Sequence, residues 1–221
     1  MYRLSFVALF LLISFSCADQ PAGTSAARSP ETPSGAEKEG KKVILFFGDS
    51  ITAGYGLEPE EGYTALLQRR LDSLGMPYKV VNAGVSGETS AGGLGRIDWI
   101  LKQPVDIFVL ELGANDGLRG IEPATTKKNL DSIFQKVRAA YPNAKLILAG
   151  MKVPPSMGSR YAAAFERTFA EVAASHRATL IPFLLEGVGG EPELNQKDGI
   201  HPNAEGAKRV AETVWNYLDL R

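Results

Sequence analysis

Short apolar runs alternate with longer amphipathic segments along most of the chain, and this alternation constrains the fold more than any other feature. Five runs are rich in β-branched and aromatic residues; they cover residues 43–47, 78–82, 105–110, 145–150 and 179–183. Unbroken apolar runs of this length are typical of strands that are buried on both faces. The sequence therefore predicts an α/β protein, a three-layer α/β/α sandwich around a five-stranded parallel sheet.

Four longer segments carry apolar residues three and four positions apart, which is the spacing of a helix that buries one face. They cover residues 63–74, 130–137, 161–173 and 207–218. Because crossovers between parallel strands are right-handed, such helices cover both faces of the sheet, and the carboxyl ends of the strands share one edge. We expect the ligand site of the protein at that edge.

Composition narrows the classes of function. The chain has 221 residues, which suits one domain, and its 44% hydrophobic and 22% charged residues are typical of a globular protein. A formal net charge of −1, without a dense basic run, argues against nucleic-acid binding. The one cysteine and the two histidines, His176 and His201, leave few metal ligands. We therefore expect no metal, no cofactor and no nucleic-acid partner, and the sequence implies no protein partner.

The beginning of the sequence has the pattern of an export signal. Arg3 precedes an apolar stretch over residues 4–15, which is too short to span a bilayer as a helix but suits the core of a signal peptide. Cys17 follows this stretch in the way that a cysteine follows the lipobox of bacterial lipoproteins. This predicts a signal peptide over residues 1–17 and lipidation of Cys17. Ordinary signal cleavage near Ala18 is the alternative.

The composition changes again after the cysteine. Residues 18–40 are small, polar and Pro-rich, as in a flexible linker that cannot bury enough apolar surface to fold. The globular domain is expected over residues 41–221. With either mode of cleavage the protein is exported, and we expect it in the periplasm or as an outer-membrane lipoprotein of a bacterium.

Chemically active residues follow the predicted strands at the edge where the site is expected. Ser50 comes after the first strand, Gly87 after the second, Asn115 after the third, and Asp198 and His201 after the fifth. A serine hydroxyl is a weak nucleophile until a base removes its proton, and histidine suits that task because its pKa lies near neutrality. A carboxylate three residues before the histidine can orient it. The sequence predicts Ser50 as nucleophile, His201 as base and Asp198 as the residue that orients the base.

Acyl transfer also requires hydrogen-bond donors for the negative oxygen of the tetrahedral intermediate. The backbone N–H groups of Ser50 and Gly87 and the side-chain amide of Asn115 are three candidates. Glycine at position 87 lets the backbone approach a substrate without an intervening side chain. These three groups are the predicted oxyanion hole.

Four blocks of sequence resemble, in order, those of the GDSL or SGNH hydrolases. They are Gly-Asp-Ser-Ile at 48–51, Asn-Ala-Gly-Val-Ser before Gly87, Gly-Ala-Asn-Asp at 113–116 and Asp-Gly-Ile-His-Pro at 198–202. The resemblance covers the chain from residue 42 onward and is closest to the bacterial periplasmic multifunctional thioesterase, arylesterase and lysophospholipase subgroup. It implies the flavodoxin-like fold of SGNH hydrolases and the residue roles given above. Residues 155–158, Pro-Ser-Met-Gly, depart from the Pro-Asn-Tyr-Gly that is frequent in the subgroup.

The resemblance implies a serine hydrolase that forms an acyl-enzyme with small acyl or aryl esters, and with thioesters or lysophospholipids as further substrates of the subgroup. Leu118, Val153 and Pro154 are apolar residues near the expected rim and are the candidate contacts of an acyl chain. Two alternatives stay open. The same machinery could remove O-acetyl groups from carbohydrate, or the fold could serve a non-catalytic binding lipoprotein.

Several residues have competing interpretations. A serine directly after a strand often only caps the next helix, and Ser86 is a rival nucleophile between two glycines. The G-x-S-x-G elbow of α/β-hydrolases does not fit Ser86, because residue 88 is Glu. Asp49 and Asp116 are interpreted as turn residues, and His176 is interpreted as a solvated residue at a helix end.

Overall fold

The structure, a computed structural model, describes residues 40–220, which contain one five-stranded parallel sheet. Its strands are β1 (Lys42–Gly48), β2 (Tyr78–Gly84), β3 (Ile107–Glu111), β4 (Lys145–Ala149) and β5 (Thr179–Ile181). Their order, β2-β1-β3-β4-β5, is that of flavodoxin-like doubly wound proteins. The predicted parallel sheet is confirmed. The predicted signal peptide, Cys17 and the linker up to residue 39 lie outside the described residues.

Seven α-helices and one 3-10 turn lie within residues 40–220. The helices are α1 (Ser50–Ala53), α2 (Tyr63–Ser73), α3 (Ser90–Ile100), α4 (Ala114–Leu118), α5 (Pro123–Ala140), α6 (Ser159–His176) and α7 (Ala204–Leu218), and the 3-10 turn covers Pro155–Met157. The four predicted amphipathic segments correspond to α2, α5, α6 and α7. No helix in this part of the chain is long and apolar enough to cross a membrane.

The helices form one layer on each face of the sheet. On one face α2 and α7 pack together, and on the other α3, α5 and α6 pack side by side. Successive residues of β1 point to opposite faces, so Phe46 contacts Tyr63 of α2 while Phe47 contacts Phe108 on the other side. Phe108 in turn contacts Phe134 of α5. These rings are buried, and the burial of each one stabilises the folded state by about 1.5–3 kcal/mol. The predicted three-layer sandwich is confirmed.

Two strands differ in extent from their apolar runs. β3 begins at Ile107 rather than at residue 105, because the carboxylate of Asp106 takes the place of a strand partner and accepts the N–H of Val43 at 2.7 Å. At its other end β3 includes a charged residue, Glu111. β5 ends at Ile181, since Pro182 has no N–H to continue the ladder.

The apolar pattern does not predict α3, because three glycines occupy positions 92, 93 and 95 and each disfavours a helix by about 1 kcal/mol relative to alanine. Two features offset this cost. Thr89 caps the helix by accepting the N–H of Gly92 at 3.3 Å. A Cβ at Gly93 would collide with Leu112 and approach Phe47 to 3.1 Å, so glycine lets α3 lie close against the sheet.

The connections reverse direction between β1 and β3, two neighbouring strands in the middle of the sheet. α2 leads from β1 outward to β2 on one face, whereas α3 leads from β2 back to β3 on the other. Such a reversal opens a crevice at the carboxyl ends of the two strands, where ligands bind in open α/β sheets. Ser50 follows β1 at this crevice, and Asn115 follows β3.

Candidate active site

Three polar side chains form a continuous hydrogen-bonded chain at the crevice. Ser50 is the first residue of α1 and its side chain is almost buried. Its Oγ lies 2.9 Å from Nε2 of His201, and Nδ1 of His201 lies 2.7 Å from Oδ2 of Asp198. This is the arrangement in which an imidazole can take the hydroxyl proton while a carboxylate stabilises the resulting cation.

The turn that carries Asp198 is built by its own carboxylate. Oδ1 accepts the backbone N–H of His201 at 3.0 Å and that of Ile200 at 2.9 Å, and Gly199 supplies the left-handed conformation of the turn. The backbone and then the side-chain hydrogen bond from His201 lower the pKa of Asp198 to about 2. Asp198 is therefore a carboxylate at neutral pH, and its second oxygen is aimed at the imidazole.

Gln196 connects the loops on the two sides of the crevice, although the sequence analysis did not select it. Its side-chain amide donates to the carbonyl of Tyr55 at 2.6 Å and to that of Pro202 at 3.1 Å, while its backbone N–H donates to the carbonyl of His201 at 2.7 Å. The ring of Tyr55 packs on the imidazole, with centroids 4.6 Å apart. Gln196 thus restrains His201 both directly and through Tyr55.

Gly87 lies in the turn after β2 with φ +77°, a conformation that favours glycine. Arg119 donates to its carbonyl at 3.0 Å and ties this turn to the end of α4. Among the described residues, neither the N–H of Gly87 nor that of Ser50 has a protein acceptor. Both N–H groups are available to a ligand.

A part-buried ion pair fixes the base of the Gly87 turn. Arg96 of α3 makes a bidentate contact with Glu88, Nε lying 2.7 Å from Oε1 and 2.9 Å from Oε2. Its guanidinium also donates to the carbonyl of Ala83 at 2.8 Å and stacks 4.0 Å above the ring of Phe47. Glu88 therefore has a structural partner, which accounts for an acidic residue beside the glycine.

Asn115 lies in α4, and its side-chain amide points towards Asp49, the residue that precedes Ser50. Its Nδ2 donates to Oδ2 of Asp49 at 3.1 Å, which uses one of the two amide hydrogens. The other hydrogen has no acceptor among the described residues. Together with the N–H groups of Ser50 and Gly87, it makes the three donors that the sequence predicts as an oxyanion hole.

Two carboxyl groups beneath this site are fully buried, and the sequence did not predict the burial of either one. Asp49 caps α1 by accepting the N–H of Ile51, which fits its interpretation as a turn residue, but it is also 0% exposed and holds Asn115. Glu111 of β3 is 0% exposed and was not selected at all. Burial raises the pKa of Asp49 to about 6 and the pKa of Glu111 well above its usual range. A charged residue at the end of an otherwise apolar strand is the sequence signal for Glu111.

Other expectations are revised by the structure. Asp116 is buried and accepts the N–H of Ser90 at 2.8 Å and the hydroxyl of Thr126 at 3.2 Å, so it joins α3 and α5 as well as building a turn. The solvated interpretation of His176 is wrong: its side chain is 13% exposed and contacts Asp131 at 3.1 Å. The imidazole is drawn inward because this carboxylate and the ring of Phe134 lie on neighbouring α5.

Ser86, the rival nucleophile, differs from Ser50 in its surroundings. Ser86 is exposed in the turn after β2, and its hydroxyl has no hydrogen-bond partner within residues 40–220. It therefore has no adjacent base, unlike Ser50. Within the same residues, no three His, Cys, Asp or Glu side chains are grouped as metal ligands.

The three candidate contacts of an acyl chain lie on two touching segments, the end of α4 and the loop after β4. Leu118 is exposed at the end of α4, and Val153 and Pro154 lie between β4 and the 3-10 turn. A Cβ at Gly117 of α4 would lie 2.5 Å from Cγ1 of Val153, so the helix and the loop are in contact. Neither Val153 nor Pro154 is buried.

The loops around the hydrogen-bonded chain carry exposed apolar side chains. A void of about 10 Å³ lies beside Ser50 and His201 on the side of α7, where Val210 lines it. Large apolar side chains on the surrounding loops are exposed, among them Tyr55, Val85 and Ile200. A ligand held at Ser50 would extend over an open apolar rim.

Comparison with known proteins identifies clear relatives. Residues 46–209 match the GDSL-like lipase/acylhydrolase family. Esterase TesA of Pseudomonas aeruginosa is 48% identical over 178 residues, which cover 80% of this chain and 88% of that protein. Thioesterase 1/protease 1/lysophospholipase L1 of Escherichia coli K12 is 40% identical over 177 residues, 80% of this chain and 83% of that protein.

A solved structure supports the same relationship. The psychrotrophic esterase EstA from Pseudoalteromonas sp., in a structure inhibited by monoethylphosphonate, has a TM-score of 0.76 and 36% sequence identity. It covers 80% of this chain and 96% of its own. Both the sequence and the fold of the described domain therefore agree with these hydrolases.

Proposed function

This chain belongs to the GDSL-like lipase/acylhydrolase family and is a carboxylic ester hydrolase, and we propose that it works through an acyl-enzyme intermediate on Ser50. The observation that carries the proposal is the hydrogen-bonded chain from Ser50 through His201 to Asp198, with distances of 2.9 and 2.7 Å. In this proposal Ser50 is the nucleophile, His201 the general base and acid, and Asp198 the residue that orients the imidazole.

The first half of the reaction forms the acyl-enzyme. Oγ of Ser50 attacks the acyl carbon while its proton passes to Nε2 of His201, and the carbonyl oxygen becomes negative. Asp198, ionised because its pKa is about 2, stabilises the imidazolium. When the intermediate collapses, the bond to the leaving oxygen or sulfur breaks, and this atom takes the proton from Nε2.

The negative oxygen of the intermediate is stabilised by the N–H groups of Ser50 and Gly87 and by the amide of Asn115. The free backbone N–H groups and the second amide hydrogen of Asn115 support this assignment. Donors that are already oriented need no reorganisation as the charge develops, and the loss of one such donor typically costs about 10²–10³ in kcat.

The second half of the reaction releases the acid. Water attacks the acyl carbon and gives a proton to Nε2 of His201, so that a second tetrahedral intermediate forms at the same donors. Its collapse breaks the bond to Oγ of Ser50, which regains the proton.

We propose that the substrates are small acyl and aryl esters, with thioesters and lysophospholipids as further candidates, and that the acyl chain lies across Leu118, Val153 and Pro154. The open apolar rim around Ser50 supports this, because such a surface accepts chains of different length. The E. coli relative is named a thioesterase and a lysophospholipase. Carbohydrate O-acetyl esters are the alternative substrates.

A substrate panel separates these alternatives. Nitrophenyl esters of increasing chain length, acyl-CoA, a lysophospholipid and acetylated sugars are tested with wild type and with Ser50→Ala. We expect turnover of the nitrophenyl and acyl-CoA substrates by wild type alone. Turnover of acetylated sugars only would favour the carbohydrate esterase, and activity of folded Ser50→Ala would refute the nucleophile.

We also propose that the protein is exported and attached to a bacterial membrane through Cys17. The apolar stretch over residues 4–15 before this cysteine supports export, and the composition of residues 18–40 supports a linker to a domain over 41–221. Periplasmic release after ordinary cleavage near Ala18 is the alternative. The mass of the mature N-terminal peptide distinguishes the two.

A further inference from the structure

Two carboxyl groups face each other in the interior directly below the proposed oxyanion hole. Asp49 follows β1 and Glu111 ends the neighbouring β3, where Glu111 pairs with Gly48 in the strand register. Both are 0% exposed, and the backbone N–H of Asp49 donates to Oε2 of Glu111 at 3.0 Å, so the two residues lie side by side. No Lys or Arg within residues 40–220 forms an ion pair with either. Two adjacent buried charges without a counter-ion are strongly unfavourable, so the pair must hold a proton.

The hydrogen bonds indicate which carboxyl group holds it. Both oxygens of Asp49 face donors, because Oδ1 accepts the N–H of Ile51 and Oδ2 accepts the amide of Asn115, each at 3.1 Å. In Glu111, Oε2 alone receives donors: the N–H of Asp49 at 3.0 Å, the N–H of Thr52 at 3.3 Å and the hydroxyl of Thr52 at 2.7 Å. Oε1 of Glu111 is buried without a donor. A proton on Glu111 removes this unsatisfied charge and supplies a donor for Asp49.

The surroundings of Glu111 agree with a neutral group. Tyr63 contacts the Thr52 hydroxyl at 2.8 Å, and burial is the main cause that raises the pKa of Tyr63, so that Tyr63 keeps its proton. Burial is also the main cause that raises the pKa of Glu111, followed by the charge of Asp49. A Cβ at Gly48 would collide with both Glu111 and Thr52. Glycine at this position is what allows the carboxyl group to lie beneath the site.

We propose that Glu111 is a positioning residue for ester hydrolysis: it stays neutral and donates its proton to Asp49, and the single charge of the pair orients the Asn115 amide. The proposal rests on the role of Asn115 given under the proposed function. A negatively charged Asp49 attracts the Nδ2 group of Asn115 and repels the amide oxygen, so Nδ2 faces Asp49. The second hydrogen of Nδ2 is then left for the substrate oxygen. A doubly charged pair would repel the developing oxyanion, and a pair without charge would not select this orientation.

The variants Glu111→Gln and Glu111→Ala test the proposal. A glutamine is neutral, with one oxygen that can accept from Asp49 and Thr52 and one NH₂ group that can donate to Asp49, so it reproduces a protonated glutamate. We expect kcat of Glu111→Gln within about threefold of wild type and kcat of Glu111→Ala lower by about ten- to hundredfold, with smaller changes in KM. Equal losses in the two variants would overturn the proposal.

Asp116→Asn is a contrasting control for the same exchange of a buried carboxylate for an amide. Oδ2 of Asp116 accepts the N–H of Ser90, and Oδ1 accepts the hydroxyls of both Ser90 and Thr126, so an amide NH₂ at Oδ1 deprives both hydroxyls of their acceptor. We expect a larger fall in Tm for Asp116→Asn than for Glu111→Gln. If Glu111→Gln instead loses as much Tm as Asp116→Asn, Glu111 is an acceptor-only carboxylate and the proposal fails.

The protonation state can be measured without activity. NMR of the wild-type protein with ¹³C-labelled Glu and Asp carboxyl groups, assigned with Glu111→Gln, should show Glu111 protonated at pH 7. The titratable groups that face the pair are Tyr63 from α2 and His201 from the loop before α7. An ionised Glu111 at pH 7 would overturn the proposal even if Glu111→Ala does not fold. An unchanged kcat in Asn115→Ala would instead refute the proposed oxyanion hole, so the two failures are distinguishable.

Discussion

Replacing Asn115 by alanine should separate the catalytic effect of its amide from its structural effect. The amide acts on charge that exists only in the tetrahedral intermediate, so kcat should fall by about 10²–10³, equivalent to about 2.7–4 kcal/mol of transition-state stabilisation. KM should change less, because the ester carbonyl of the bound substrate carries little charge. Steady-state kinetics with a nitrophenyl ester, well below Tm, measure both constants.

The same substitution should destabilise the fold by a calculable amount. It removes the donor to Oδ2 of Asp49, and a buried acceptor without a partner costs about 1–3 kcal/mol. For a domain of this size each kcal/mol lowers Tm by about 2–4 °C, so a fall of roughly 2–12 °C is expected. The pKa of Asp49 should also rise further above 6, since the Asn115 hydrogen bond is one of the causes that lower it.

Gln68→Ala is the matched control for the loss of a part-buried amide. Gln68 accepts the N–H of Val80 at 2.6 Å and donates to the carbonyl of Tyr78 at 3.3 Å, along the outer edge of β2 and away from Ser50. It should lower Tm without changing kcat by more than about twofold. A folded Asn115→Ala protein with kcat within a few-fold of wild type, or with a change in KM alone, would refute the reasoning.

Three further predictions concern the surroundings of the site. Gln196→Ala removes two side-chain hydrogen bonds that restrain the loops around His201, and kcat should fall by up to about 10²-fold with little change in KM, as steady-state kinetics will show. Because the pKa of Asp198 is lowered in the folded protein, its carboxylate stabilises the fold above about pH 3.8, and this stabilisation is lost as the pH falls towards 2. Chemical unfolding over this pH range should therefore show that the free energy of unfolding decreases more steeply for wild type than for Asp198→Asn. Equal pH dependence in the two proteins would contradict the assignment. Cys17→Ser should abolish partition into detergent, since acyl chains bind bilayers with about 0.8 kcal/mol per buried CH₂; unchanged partition would exclude lipidation of Cys17.

The layers of the fold follow from the apolar pattern, because strands buried on both faces read as continuous apolar runs. The helix α3 could not be predicted in this way, because its glycines locally disfavour a helix. Gly93 is needed for a tertiary reason, its close approach to Leu112 and Phe47. That contact joins residues far apart in the sequence. β5 is shorter than its run for a local reason, the missing N–H of Pro182, which could be taken from the sequence.

The candidate site, like the fold, is predictable from the sequence only in part. Ser50, Asn115 and His201 follow strand ends, and parallel strands place such residues at one edge, so their proximity is predictable. The roles of Glu111 and Gln196 depend on which polar atoms meet in three dimensions. A glutamate beside a buried aspartate, or an amide that reaches Tyr55 across 141 positions of sequence, leaves no periodic signal. His176 was misjudged for the same reason, because its partner Asp131 lies on another helix.

Covalent labelling of the nucleophile tests the central claim most directly. Wild type and Ser50→Ala are incubated with a nitrophenyl phosphonate ester, which reacts with an activated serine, and the modified peptide is identified by mass spectrometry. The account predicts a single adduct on Ser50 that forms in step with the loss of activity. It also predicts no adduct in Ser50→Ala, whose kcat should be lower by about three orders of magnitude or more. An adduct on Ser86, or normal turnover by folded Ser50→Ala, would contradict it.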